Sequence, residues 1–529
     1  MKFIFTLFTI SFFVIAAEVQ ARQLIPQQDT TFTITGSVTK FRVSDRLLSH
    51  YIVTHDIDPD KARNIMDFYK NRDYQYAWFN EDGLAEQTQS FWNLYENFLN
   101  YSSDSTLYDQ ELHDHMTLLL ASGSVANIDD TEISSFELQL TDLFLRFVER
   151  AYTGSVDPKN IQWHIPRKKI VVLDLLNEFV KQNGKEPYSI LPVSTQYLRL
   201  KHEIIRFKTL LENVKWPYIS MDNKKLYRLG DSATAIPDIK DRLFSLGDLR
   251  IRNRSKLYDT LFENAVINFQ RRHGLNDDGI IGPDFMKAIN IPIESKIKQM
   301  LINLERMRWM PVPNEGKRVV VNIPEFKLYV YEGADTVLST DIVVGKAAHR
   351  TVVFSDRIKH VVFSPYWNIP RSIVRNEILP AIDRDSRYLT RHNMEVTGNR
   401  NGLPVIRQRP GKKNALGRVK FIFPNRYSIY LHDTPAKALF QRTKRTFSHG
   451  CIRVADPAEL ASYLLKNNPA WGEQEIKKAM HADSEKWVAL DEPVPVYISY
   501  FTAWVNQNGE VNFRDDVYGH DEKLAEHLF

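Results

Sequence analysis

The 529-residue chain contains one cysteine, Cys451. A lone thiol closes no intramolecular disulfide, so packing and hydrogen bonds must hold the fold. Long apolar runs are scarce as well. After the N-terminal FIFTLFTISFFVIAA, no segment approaches the roughly 20 apolar residues of a membrane span. Net charge is only +4, which leaves no electrostatic footprint for nucleic acid. The chain also lacks a GxSxG elbow, a phosphate-cradling GxxxxGK and an HExxH pair. One cysteine cannot build a thiolate zinc site, and neither a metal nor a cofactor is expected. What is present is 43% hydrophobic and 12% aromatic, a globular composition with length for roughly three domains.

Lys2, the apolar run and EVQA, with Val19 and Ala21 as small residues before a cut, read as a signal peptide over 1–21. An uncleaved N-terminal anchor is the alternative. No cysteine follows the cut, which argues against a lipoprotein. The expectation is a soluble protein exported to the periplasm or cell envelope. In an oxidising compartment an exposed thiol is a liability. Cys451 is therefore either buried and inert, or required.

Residues 22–40 are polar and read as a linker. From 41 to 225 the pattern is helical, with turn clusters NEDG (80–83) and NYSSDS (100–105). Phe136, Leu140, Leu143, Phe144 and Phe147 fall on one helix face, and Gly154 ends that segment. His113 and His115 raise the question of a metal, but a solvated helix face is the expectation. Residues 226–290 form a compact helical module in which Leu261, Ala265, Val266 and Phe269 line one face. Gly274 is placed to stop that helix, and Pro283 to start the next. A linker helix over 291–316 follows. Alternation then takes over: Val319, Val321 and Ile323, then Phe326, Leu328 and Val330. Strand signals recur at 359–364, 418–431 and 494–505, so 317–529 reads as mostly β. Between 371 and 420, twelve Lys or Arg stand against four Asp or Glu, a net of +8, which leaves about −4 for the rest. That block is either a solvated basic surface or an arm for an anionic polymer.

Cys451 lies in KRTFSHGCIRV (444–454). A thiol is a few per cent thiolate near neutral pH and needs a base or a positive neighbour. His449 is two residues away, a spacing that seldom aligns a hydrogen bond. His432 ends NRYSIYLH, read as a strand with Ser428, Tyr430 and His432 on one face and Ile429 and Leu431 in the core. It is the better base. Arg453 shares a face with Cys451. Asp456, Pro457 and Glu459 read as N-cap, N1 and N3 of a helix with a capping box. Gly450 permits close approach of substrate, and the N–H groups of Gly450 and Cys451 are candidates for an oxyanion.

YLHDTPAKALFQRTKRTFSHGCIRV resembles the L,D-transpeptidase signature, a histidine and then Ser/Thr-His-Gly-Cys after about fifteen residues. His432, Ser448, His449, Gly450 and Cys451 all match. Small members often carry asparagine where this chain has Arg453. With HDTP, SPYWNIP (364–370), RPGKKNALGRVKFIFPN (409–425) and FYKNRDYQYAWFNEDG (68–83), the chain is similar to the large periplasmic subtype. FQRRHGLNDDGIIGPDFMKAI resembles a small three-helix peptidoglycan-binding domain.

The resemblance implies a multidomain α+β fold. It comprises a helical N-terminal scaffold, the three-helix module, and a mostly-β catalytic domain with a helical and loop capping insertion over about 366–417. It further implies that Cys451 attacks the carbonyl before D-Ala in a stem peptide, with His432 as base. His449 and Gly450 would help form the oxyanion hole, and Ser448 would fix the loop. Tyr430, Trp367, Arg453 and Asn414 would meet substrate. A second stem peptide's diamino acid would supply the accepting amine, giving a 3→3 crosslink that serves cell-wall biogenesis and cell shape. Carbapenems would acylate the same thiol, and other cell-wall enzymes are possible partners. Hydrolysis as an L,D-carboxypeptidase, attachment of a wall protein, and a non-catalytic wall-binding scaffold remain the alternatives.

Overall fold

The computed structural model describes residues 39–529 apart from 103, 123–127, 168, 191–192, 223–224 and 312–315. The expected signal peptide and nearly all of the 22–40 linker lie outside the described residues. No helix among the described residues is long and apolar enough to cross a membrane. The architecture is multidomain α+β, with an N-terminal helical region, a three-helix module and a mostly-β region.

The central N-terminal helix is Asp130–Val148, whose N-cap Asp129 accepts hydrogen bonds from the N–H groups of Thr131 and Glu132. Its expected face, Phe136, Leu140, Leu143, Phe144 and Phe147, is buried. The HDH histidines are less solvated than expected: His113 Nε2 lies 3.0 Å from Glu96 Oε1, and His115 packs on Phe136. In the small module the helices are Ile236–Leu246, Thr260–Arg272 and Pro283–Ile289. Here the expected core residue Leu261 is 66% exposed and Phe262 fills the core instead. Asp259 caps this helix, accepting from the Phe262 N–H at 2.9 Å, and that start phases 262, 265, 266 and 269 inward. One continuous core joins the helical region, the module and the hairpin Ala503–Val505/Val511–Phe513.

The β region closes on itself. Strands run in the order Val419–Ile422, Leu431–His432, Ile452–Val454, Asp335–Gly345, Lys327–Glu332, Lys317–Asn322, Lys486–Ser499 and Val353–Phe363. The last pairs back to Val419–Ile422. Val319, Val321, Leu328 and Val330 point into the core as their alternation predicts. The strand expected over 418–431 is two strands separated by a loop over 423–430, opened by Phe423-Pro424-Asn425. The strand expected over 494–505 also breaks, and its end turns away into the 503–513 hairpin. A strand the sequence did not signal, Trp163–His164 from the helical region, pairs in parallel with Val353 and Phe354.

The insertion carries a helix over 371–384 and a hairpin Met394–Arg400/Leu403–Gln408, with Trp367–Asn368 as its third strand. Ile369, Ile373, Val374, Ile378 and Ile406 give it a small core of its own.

Candidate active site

Cys451 immediately precedes the strand Ile452–Val454, which pairs in parallel with Leu431–His432 in the register Leu431↔Ile452 and His432↔Arg453. Extending that register by one residue sets Cys451 beside Tyr430, and the Ile452 N–H donates to Tyr430 O at 3.1 Å. Side chains alternate along each strand, so Cys451, Tyr430, His432 and Arg453 share one face. The Tyr430 and His432 rings are 5.7 Å apart between centroids. The four form a two-by-two array, with thiol and imidazole on a diagonal.

Burial dominates the electrostatics. It pushes His432 down to about 4, helped by the Arg453 charge. It pushes the Cys451 thiol up, against the opposing pull of the Tyr430 N–H, the Tyr430 hydroxyl and Arg453. The resting pair is therefore neutral thiol and neutral imidazole. His432 Nδ1 donates to Asp433 O at 2.5 Å, which leaves Nε2 as the basic nitrogen. The thiol itself donates to Ser428 O at 3.6 Å. Cys451 is partly exposed, so reagents can reach it. Arg453 is half-buried, and its Nε has no hydrogen-bond partner among the described residues.

The cysteine loop is tied by its own polar groups. Ser448 Oγ donates to Cys451 O at 2.5 Å and accepts the Gly450 N–H at 3.1 Å. Of the two N–H groups expected to meet an oxyanion, that of Gly450 is thus already engaged. The Cys451 N–H has no acceptor among the described residues. Gly450 has φ +111°, a backbone conformation that side chains strain to adopt. The expected strand face at Ser428 is absent: Ser428 has φ +56° and lies in the 423–430 loop. The capping box at Asp456 does not form. Asp456 stands at the N-cap with Pro457 at N1, but its carboxylate accepts from Thr340 Oγ1 at 2.9 Å, tying the helix to the neighbouring strand.

The remaining expected residues are placed as follows. His449 is partly exposed, and its Nε2 lies 3.0 Å from Glu377 Oε1 of the insertion. Trp367 packs against the insertion's own core. Asn414 is buried: its amide donates to Pro365 O at 3.0 Å and Arg409 O at 2.9 Å, and its oxygen accepts from Leu416 N–H at 2.8 Å. That full set of bonds shapes the loop over 409–418. Among the described residues no group of three His, Cys, Asp or Glu could hold a metal.

Three residues at the site escaped the sequence reading. Thr351 Oγ1 donates to Gly450 O at 2.9 Å and accepts the Gly345 N–H at 2.9 Å, linking two loops. Asn425 accepts the Tyr427 and Ile429 N–H groups at 3.0 and 3.2 Å and donates to Ile429 O at 2.7 Å. It thereby shapes the turn whose Ser428 carbonyl holds the thiol. Pro424-Asn425 was its available signal. Glu377 is the third, and nothing local marks it.

Residues 316–477 match the model of the L,D-transpeptidase catalytic domain, and residues 63–204 that of a scaffold domain. Residues 232–289 match a model described as "Putative peptidoglycan binding domain". A protein of Haemophilus influenzae described as "Putative L,D-transpeptidase" is 34% identical over 248 residues, 44% of this chain and 50% of that protein. The chain thus spans about half the length of this curated relative. An L,D-transpeptidase structure from Xylanimonas cellulosilytica aligns over 53% of this chain and 100% of its own, with 16% identity and a TM-score of 0.18. One from Stackebrandtia nassauensis aligns over 53% and 97%, with 15% identity and a TM-score of 0.21. Scores this low carry no functional weight.

Proposed function

We propose, from the match of residues 316–477 to the L,D-transpeptidase catalytic domain model, that the chain crosslinks peptidoglycan stem peptides through an acyl-Cys451 thioester. The observation that carries this reading is the shared face of Cys451, Tyr430, His432 and Arg453, set by the parallel register of two short strands. The thiol leaves Ser428 O, gives its proton to His432 Nε2 and attacks the carbonyl between the third residue and D-Ala. The Cys451 N–H is free to meet the oxyanion. Protonated by His432, D-Ala leaves. A diamino acid amine of a second stem then takes the acyl group, giving a 3→3 crosslink. Arg453 faces the thiol and suits a donor carboxylate. Residues 232–289 would hold the wall polymer, and such a substrate puts the protein in the periplasm or cell envelope.

The test is incubation of the purified protein with disaccharide tetrapeptides and mass analysis of the products. A crosslinked dimer lighter by one D-Ala supports the reading. Tripeptide alone would mean an L,D-carboxypeptidase, and no product at all a non-catalytic scaffold. Cys451→Ser should abolish both products with the fold intact, because a hydroxyl is a far weaker acid than a thiol. His432→Ala should slow acylation by roughly 10²–10⁴, and His449→Ala by less. A carbapenem should add one adduct mass at Cys451. Failure of every carbapenem to do so counts against an activated thiol.

A further inference from the structure

The insertion holds four carboxylates over 371–420, and they are not alike. Asp385 pairs with Arg391, and Glu395 with both Arg407 and Arg409, all within the insertion. Asp383 is exposed. Glu377 alone reaches out of the insertion, to His449, two residues before the nucleophile.

Its direction follows from the chain. Pro380 has no N–H for the carbonyl four residues earlier, and the helix widens to a π turn over Val374–Ile378. That turn sends Ile373, Val374 and Ile378 into the insertion's core and leaves Glu377 facing the cysteine loop. Side-chain exposures of 53% for Glu377 and 37% for His449 leave the pair reachable by a ligand. Glu377 Oε1 lies 3.0 Å from His449 Nε2, and Oε2 has no partner among the described residues.

The charge on the thiol's own face is of the other sign, that of Arg453. It suits an anionic donor but repels an acceptor that arrives as an ammonium ion. We propose that Glu377, oriented by His449, binds the acceptor's ammonium group through Oε2 and brings its nitrogen to the acyl-Cys451 carbonyl. The proposal rests on the acyl-enzyme reading above. In the step, the ammonium first loses one proton to water. The amine lone pair then attacks the thioester carbon and the C–N bond forms. A second N–H proton passes to His432 and from it to sulfur as the C–S bond breaks. The products are an amide and the free thiol. A carboxylate at this point favours transfer over hydrolysis, because water gains nothing from it.

The experiment uses the full chain with disaccharide tetrapeptide as donor and acceptor. It reads released D-Ala, crosslinked dimer and hydrolysed tripeptide together. Glu377→Gln keeps an oxygen for His449 and removes only the charge. The expected result is a dimer-to-tripeptide ratio lower by about tenfold, with a higher acceptor concentration for half-maximal transfer. Glu377→Asp should recover much of the ratio. An unchanged ratio in Glu377→Gln overturns the proposal. So does a parallel fall of D-Ala, dimer and tripeptide, which would make Glu377 a strut for the His449 loop. Absence of D-Ala release in the unaltered protein would instead defeat the acyl-enzyme reading.

Discussion

At the residue scale, the Cys451 and His432 pair is set as two neutral groups rather than a standing ion pair, as the proposed proton shift requires. A thiolate–imidazolium pair needs the thiol pKa below that of the imidazole, whereas here burial drives the two apart, the thiol up and His432 down to about 4. The sign for reactivity follows. Thiolate is formed only as pH climbs past the ordinary thiol range, so alkylation of Cys451 by iodoacetamide should keep rising above about pH 8.5 with no plateau near neutrality. A plateau between pH 5 and 7 would show a standing ion pair instead. Tyr430 modulates this. Its hydroxyl and N–H both favour thiolate, and Tyr430→Phe should slow alkylation at a given pH by a few-fold.

At the scale of elements, the N-terminal region depends on one buried carboxylate. Glu137 on the helix Asp130–Val148 accepts the Ala77 N–H at 2.5 Å, the Trp78 N–H at 2.9 Å and the Tyr69 hydroxyl at 2.9 Å. It joins two helices to the segment that enters the Phe79–Asn80 hairpin. Burial raises its pKa to about 7. Glu137→Gln leaves only one accepting oxygen where two backbone N–H groups need acceptors, at a cost of about 1–3 kcal/mol. A thermal melt of the full chain should show the loss. No change in melting temperature would mean that the turn finds other acceptors.

Elements of this kind show what a sequence displays and what it conceals. Period-two alternation exposed Val319 to Val330, and a three-to-four spacing exposed Phe136 to Phe147, because burial there follows local geometry. Leu261 was misplaced because phase depends on where Asp259 starts the helix. The candidate nucleophile could be proposed from the sequence because Ser448, His449, Gly450 and Cys451 are contiguous and their spacing to His432 is fixed. Glu377 and Thr351 were not legible, since each meets that loop across 72 and 99 residues of chain.

At the scale of the whole molecule, the helical and β regions are stitched together rather than merely adjacent. Trp163–His164 joins the closed sheet, Val156 and Trp163 enter its core, and Trp163 packs edge-on against Trp309 at 5.5 Å. The crossing point is Gly154, at φ +92°. Just beyond it the Val156 N–H donates to Glu305 Oε1 at 3.0 Å, while Glu305 also pairs with Arg308, whose Nε donates to Ala151 O at 3.0 Å. A Cβ at Gly154 would fall 2.6 Å from Glu305 Oε1 and 2.8 Å from Trp309 Nε1. Both atoms belong to buried, packed side chains with little room to retreat. Gly154→Ala should therefore combine backbone strain of about 1–3 kcal/mol with displacement of that joint. Because the joint is shared, the effect should spread. Limited proteolysis should cut near 154–168 in the variant, and thermal unfolding should split into separate transitions for the helical and β regions. A variant that still unfolds in one transition at the original temperature would show that the crossing segment tolerates the displacement and that the stitch lies elsewhere.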